Sequence, residues 1–324
     1  MKISINQNRF FEATADLSIL ESARNESITI AHSCLNGRCS ECKVKVVSGN
    51  FDMPSTQEGL TDKEVQEGYC LSCITKPISD MELEDVTFIE GILPELRIIP
   101  AKISLLEFLS EDVVKVTIRT PPNKSLEFLA GQYIDLSVKG IKRSYSVAST
   151  PSDSEIELFI KNYTGGQFSH YLFNEAKVND LLRIEGPKGT YILPKEIPEN
   201  LIFISTGTGI APNLSLIKSA LREGKVQSSQ ITLIHGQRTA KEHLYSLDEV
   251  LSHIDVIKCT SRESVDGFVT GYVQDAVKEL DVDISNSLVF ACGNPKMIRE
   301  LKIQMVSMGL EEKNFKSDVF VPSN

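Results

Sequence analysis

Cys34-Leu35-Asn36-Gly37-Arg38-Cys39-Ser40-Glu41-Cys42 carries three thiols in one short loop, and Cys70 and Cys73 follow about thirty positions later. The other two of the seven cysteines, Cys259 and Cys292, stand far away. An odd number fits a disulfide framework badly, and residues 1–6 hold no apolar leader core. A clustered set in a protein expected to stay in the cytoplasm points to metal binding.

The loop reads C-x4-C-x2-C. Two irons need four thiolates, so three from one loop and a distant fourth suit a plant-type [2Fe-2S] centre. Gly37 lets the loop curl so that backbone N–H groups face the sulfurs. A zinc ribbon built from Cys39, Cys42, Cys70 and Cys73 would leave Cys34 idle and has too long a gap. A Rieske centre needs two histidines, and His32 has no C-x2-H partner.

Outward from this loop, the 324 residues suffice for two or three compact units. At 41% apolar and 24% charged the composition is that of a globular protein, and no apolar run approaches a membrane span. Residues 1–95 hold 8 Lys/Arg against 16 Asp/Glu, while the remaining 229 hold 26 against 28. The acid is therefore concentrated beside the cysteines. That argues against nucleic-acid binding and suits docking on a basic protein surface.

Short strands at 2–5, 9–12 and 43–47, with helices near 18–25 and 61–66, give the first segment a small mixed sheet, closed by a linker at 90–96. From Ile98 come β-rich runs at 113–119, 133–138, 143–148, 156–160 and 181–184, interrupted by one helix near 167–176. We expect an antiparallel barrel. After Pro198, strands at 201–205, 231–235, 255–259, 288–291 and 315–320 alternate with helices at 213–222, 244–252, 270–280 and 295–308, which implies a parallel sheet covered on both faces.

On its strand, Arg143-Ser144-Tyr145-Ser146 alternates, so Arg143 and Tyr145 share one face and Ser144 and Ser146 the other. Arginine can pair a flavin pyrophosphate and tyrosine can stack on a planar ring. Gly165-Gly166-Gln167-Phe168-Ser169 opens the barrel's helix, where free N–H groups suit phosphate. Ser205-Thr206-Gly207-Thr208-Gly209-Ile210-Ala211-Pro212 joins strand to helix in the parallel sheet. Gly207 and Gly209 allow close backbone approach to a pyrophosphate, but Pro212 replaces the third glycine of the usual fingerprint. The second strand ends in Gly236-Gln237-Arg238 with no acid for a ribose hydroxyl, which leaves NADH and NADPH both open. Cys292 and Gly293 end the fourth strand, at the edge where such sheets bind ligands. Cys259 reads as a buried structural thiol, and His170, His235, His243 and His253 show no metal spacing.

The cysteine segment resembles a plant-type ferredoxin of β-grasp fold. There the fourth ligand lies in a Leu-x-Cys context like Leu71-Ser72-Cys73, so the resemblance implies Cys34, Cys39, Cys42 and Cys73 as metal ligands and gives Cys70 no slot. R-x-Y-S, G-T-G-x-A-P and C-G-x-P, in that order, resemble the ferredoxin-NADP reductase superfamily. The resemblance implies three domains: ferredoxin (1–95), FAD-binding antiparallel β-barrel (98–197) and NAD(P)-binding parallel α/β (198–324). It further implies FAD on Arg143, Tyr145 and Ser146, with Gly165, Gly166 and Ser169 at its pyrophosphate. Nicotinamide dinucleotide would lie on Gly207, Thr208 and Gly209, with Cys292 and Gly293 beside the nicotinamide and Arg238 near the adenosine. Asp318, in Asp318-Val319-Phe320, resembles the acidic-x-Phe ending of these reductases and would stand near the flavin with Ser146 and Cys292 as the reactive-site trio.

Ferredoxin-first order is similar to the reductase components of bacterial oxygenases and of CDP-deoxyhexose synthesis. The segments 98–100, 119–122, 128–134 and 143–146 are most similar to reductases serving CDP-6-deoxyhexose 3-dehydrases. The expected function is electron transfer from NAD(P)H through FAD and [2Fe-2S] to a partner dehydrase, with an oxygenase as the rival partner. A zinc-stapled interaction module on a degenerate flavin fold is the reading from another class.

Overall fold

A computed structural model describes the chain apart from Gln7, Gln227, Ser246, Asp248, Glu249, Leu251 and residues 321–324. Contacts divide it into two units, Met1–Leu93 and Pro94–Asn324.

In the first unit the elements run β1 (Lys2–Ile5), β2 (Arg9–Glu12), α1 (Ile19–Asn25), β3 (Lys43–Ser48), β4 (Phe51–Asp52), α2 (Asp62–Gln66), β5 (Tyr69–Leu71), β6 (Lys76–Pro77) and β7 (Met81–Glu84). The sheet order is β2-β1-β7-β3-β5, with β1 and β7 parallel and the other neighbours antiparallel. A mixed sheet was expected; the short strands β5, β6 and β7 carry too little local pattern to be seen in sequence. Ser18 starts α1 through a reciprocal capping box with Glu21, and Ile19, Leu20 and Ala23 then face the core. That helix packs over Ile3, Ile5, Phe11 and Leu83.

The second unit opens with β8 (Arg97–Phe108), β9 (Val113–Arg119), β10 (Tyr133–Val138), β11 (Ile141–Ser146), β12 (Ile156–Lys161), α3 (Gln167–Asn174) and β13 (Leu181–Lys188). These strands form an antiparallel sheet ordered β11-β10-β13-β8-β9-β12. A bridge between Val147 and Leu158 joins its two edges, which gives the sheet its barrel form.

The chain continues through β14 (Asn200–Thr206), α4 (Ile210–Arg222), β15 (Gln230–Gln237), β16 (Asp255–Thr260), β17 (Val269–Thr270), α5 (Val273–Val277), β18 (Ser287–Gly293), α6 (Pro295–Ser307) and β19 (Phe315–Val319). All neighbours in the order β17-β16-β15-β14-β18-β19 are parallel. Strand β14 is buried on both faces, as a central parallel strand must be. The helix expected over 270–280 is shorter, because residues 269–270 pair with β16 and Gly271, at φ +132°, breaks the chain before α5. The helix expected over 244–252 falls partly outside the described residues. The order reverses direction between β14 and β18, and that switch point opens a crevice at their carboxyl ends.

Candidate functional site

The cysteine loop turns sharply because Leu35, Gly37 and Ser40 all adopt left-handed backbone, at φ +58°, +78° and +62°. A Cβ at Gly37 would sit 2.6 Å from Ile74 Cδ1, so glycine is required there on two counts. The curl points amides at sulfur: Arg38 N–H donates to Cys34 Sγ at 3.3 Å and Cys34 N–H to Cys39 Sγ at 3.4 Å. Cys42 Sγ lies 3.2 Å from Cys73 Sγ.

The four thiols thus stand as two pairs, Cys34 with Cys39 and Cys42 with Cys73. Contact with Cys39, helped by backbone N–H groups, lowers the Cys34 thiol to about 6 and drives Cys39 the other way. Cys73 is lowered by Cys42 and by the Gly37 amide, while Cys42 is raised. Among the described residues no three His, Cys, Asp or Glu side chains are arranged around a single ion. Two pairs suit two irons that each take two protein thiolates.

Cys70 behaves differently. It points into the core under α1 with Ile3, Ile19 and Val44, and burial pushes its thiol up to about 12. Cys73, two residues past the Leu71 side chain that packs on Cys42, shares the loop's side of the strand. His32 is buried, held by the Ile30 carbonyl at 2.8 Å, and burial lowers it to about 4.

On the barrel, register pairs Arg143 with Leu136 and Tyr145 with Ile134, so both lie on one face as alternation requires. Tyr145 packs its ring 5.4 Å from Phe168 at the start of α3, and burial raises its hydroxyl. Gly165, at φ +80°, turns the chain into Gly166, whose side of α3 has no side-chain cap. Ser169 Oγ donates to the Gly166 carbonyl at 3.0 Å and so leaves the first-turn amides to an outside anion.

The opposite face carries an ion network that sequence reading missed. Lys188 Nζ meets Asp135 and Glu185 at 2.7 and 2.6 Å, Lys142 meets the same two at 3.1 and 2.6 Å, and Ser144 donates to Asp135 at 2.6 Å. It clamps β10, β11 and β13 behind the motif. No local signal reveals it, because its members come from three strands.

At the switch point, Gly207 is left-handed at φ +57° with open space beside it, whereas a Cβ on Gly209 would lie 2.5 Å from the Cys292 carbonyl. Gly207 suits ligand approach; Gly209 lets the turn seat against β18. Arg238 is exposed past the end of β15, where its carbonyl accepts the Arg262 amide at 2.9 Å, away from the groups that follow.

Ser146, Cys292 and Asp318, from three distant segments, converge. Ser146 Oγ donates to Asp318 Oδ2 at 3.0 Å, and Cys292 Sγ lies 3.9 Å from the same oxygen. Register places Cys292 beside Asp318 on one side and Ser205 on the other. Burial, then the Asp318 carboxylate, pushes the Cys292 thiol well above its usual range. Next in the row, Ser205 Oγ meets His235 Nδ1 at 3.0 Å, and burial holds that imidazole neutral, near 3. Helix α4 is fixed against the barrel by Tyr191, which donates to the buried Asn213 Oδ1 at 2.7 Å, and by Ser215, which donates to the Ser149 carbonyl at 2.6 Å.

Three family models match in succession: a 2Fe-2S iron-sulfur cluster binding domain over residues 3–77, an oxidoreductase FAD-binding domain over 100–192 and an oxidoreductase NAD-binding domain over 203–302. The CDP-6-deoxy-L-threo-D-glycero-4-hexulose-3-dehydrase reductase of Yersinia pestis is 35% identical over 97% of this chain and 96% of its own. The chain belongs to this family of iron-sulfur flavoprotein reductases. The reductase is also 33% identical to the propane 2-monooxygenase reductase component of Mycolicibacterium goodii, over 87% of this chain and 86% of that one. It superposes on the crystal structure of the Amycolatopsis cytochrome P450 reductase GcoB with a TM-score of 0.79 at 25% identity, covering 99% of both chains. The reductase is an NAD(P)H-dependent oxidoreductase with [2Fe-2S], FAD and nicotinamide dinucleotide as its cofactors. Its described helices include none long and apolar enough to cross a membrane.

Proposed function

We propose that the reductase carries electrons from NAD(P)H through FAD and then [2Fe-2S] to a CDP-6-deoxyhexose 3-dehydrase in 3,6-dideoxysugar synthesis. The observation that carries this reading is the 35% identity, nearly end to end, to a reductase named for such a dehydrase. Three functional domains serve the path in reverse chain order: 198–324 first, then 98–197, then 1–95. The work is cytoplasmic.

A bound flavin would supply exchange between a hydride pair and single electrons, and a bound iron-sulfur centre would take those electrons singly. The chain's own groups bind and orient. Cys34 with Cys39 would hold one iron, and Cys42 with Cys73 the other. Arg143, the α3 amides beyond Gly165 and Gly166, and Ser169 would hold the flavin pyrophosphate, and Tyr145 would pack on its ring. Gly207, Thr208 and Gly209 would seat the dinucleotide pyrophosphate, Arg238 would lie toward its adenosine, and Cys292 and Gly293 would border the nicotinamide. Ser146 Oγ, bonded to Asp318 Oδ2, would hold a proton where the flavin and nicotinamide rings are expected to meet. Alignment is the catalytic contribution, because rings held in contact react as one molecule.

Reconstituted turnover tests the partner. CDP-6-deoxyhexose 3-dehydrase is expected to turn over with this reductase and NADH or NADPH, and turnover only with an oxygenase component would overturn the sugar reading. That second reading is favoured by the 33% identity to a propane monooxygenase reductase. Anaerobic stopped-flow absorbance tests the wiring: flavin bleaching must be followed by cluster bleaching.

A further inference from the structure

His235 is buried near the carboxyl end of β15, and two residues further in the register row is apolar: Leu233, flanked by Phe203 and then Phe290. An imidazole in such a place costs free energy unless its ring nitrogens are satisfied, and both are. Nδ1 lies 3.0 Å from Ser205 Oγ, and Nε2 lies 3.2 Å from Gln237 Nε2. The same Gln237 nitrogen donates to the Glu242 carbonyl at 2.9 Å. A carbonyl can only accept, so it is the amide nitrogen that faces the ring. Nε2 therefore accepts, the ring proton sits on Nδ1, and Nδ1 donates to Ser205.

The two bonds lead in different directions. Ser205 pairs in register with Cys292 on β18 and stands just before the Gly207 turn. Gln237 instead ties the ring to a one-turn helix, Ala240–Glu242, which follows the exposed Arg238. Beyond that turn, the His243 ring stands edge-on to His235 at 5.2 Å and the Tyr245 ring at 5.6 Å, while His243 Nε2 meets the Cys259 carbonyl at 3.1 Å. Residues 237–245 are thus seated around one buried imidazole. We propose that His235 is a positioning residue that couples the two halves of the nicotinamide dinucleotide. The adenosine half, engaging the segment that follows Arg238, firms the Ser205 end of β14 beside the nicotinamide. Binding energy from the remote half is then used at the reacting centre. The inference rests on the dinucleotide placement proposed above.

The test divides the dinucleotide in two. The full chain, loaded with flavin and cluster, is mixed anaerobically with reduced nicotinamide mononucleotide, with and without adenosine 5′-monophosphate, and flavin bleaching is followed. In the unaltered chain the monophosphate is expected to raise the reduction rate at least about fivefold, the low end of ordinary coupling. It is also expected to slow amide exchange over residues 203–210. His235→Phe, which keeps the bulk of the ring, and Gln237→Leu are each expected to abolish both effects. In each variant the rate without the monophosphate, and the affinity for it by calorimetry, should stay unchanged. Acceleration retained in either variant, lost monophosphate affinity in place of lost coupling, or binding to the unaltered chain with no acceleration overturns the proposal. If calorimetry shows no binding to the unaltered chain, the dinucleotide placement falls and takes the inference with it, a distinct result.

Discussion

Single residues place neighbouring thiols in quite different surroundings. Cys70 and Cys73 are three apart, yet one lies under α1 with a thiol near 12 and the other lies 3.2 Å from Cys42. Cys73→Ser is expected to abolish the cluster's visible absorbance and leave flavin absorbance in place, whereas Cys70→Ser should retain both. The reverse outcome would exchange their roles. At the other centre, Ser146→Ala removes the 3.0 Å bond to Asp318. Flavin reduction by NADH is expected to slow about tenfold, a barrier change of ~1.4 kcal/mol, with little change in KM. Single-turnover stopped-flow separates the two quantities.

At the scale of elements, α2 has five residues and depends on its cap. Glu64 closes the capping box with Thr61 and accepts from Lys43 at 2.8 Å. Burial alone would raise its carboxyl, but Lys43 and Thr61 prevail and hold it near 2. Because the folded value is depressed, the stability it gives is fully present above the ordinary glutamate value of about 4.3 and is lost as pH falls through about 2. The protection of α2 amides against exchange, relative to the intrinsic rate at each pH, should therefore fall between those limits. In Glu64→Gln that acid-dependent step should disappear, and a step of unchanged size would refute the account. The Asp135, Glu185, Lys142 and Lys188 network plays the comparable part for β10, β11 and β13, holding the motif strand flat against its neighbours.

For the molecule as a whole, the boundary between units falls at Leu93 and Pro94, beside Ile92, which is 97% exposed. Exposed backbone outside regular elements is where proteases cut. Limited proteolysis is expected to cleave near this point and release a fragment that still reduces its flavin with NAD(P)H but no longer supplies a partner protein. Resistance of residues 88–97 to cleavage, seen by mass spectrometry, would count against that. The acid carried by residues 1–95 is one side of the expected docking contact, so electron delivery to a partner should weaken as salt rises.

Much of this protein was legible because cofactor chemistry is written in local spacing. C-x4-C-x2-C, R-x-Y-S and G-T-G-x-A-P each name a residue type at a fixed distance, and the change from successive strands to strands alternating with helices then told barrel from parallel sheet. What sequence left open depends on register between strands remote in the chain. Only folding brings Ser146 to Asp318 and Cys292, puts Cys70 in the core and Cys73 beside Cys42, and closes a charged clamp over three strands. Hydrogen bonds and burial between such partners have no period along the chain, so they exist as information only once the backbone is in place.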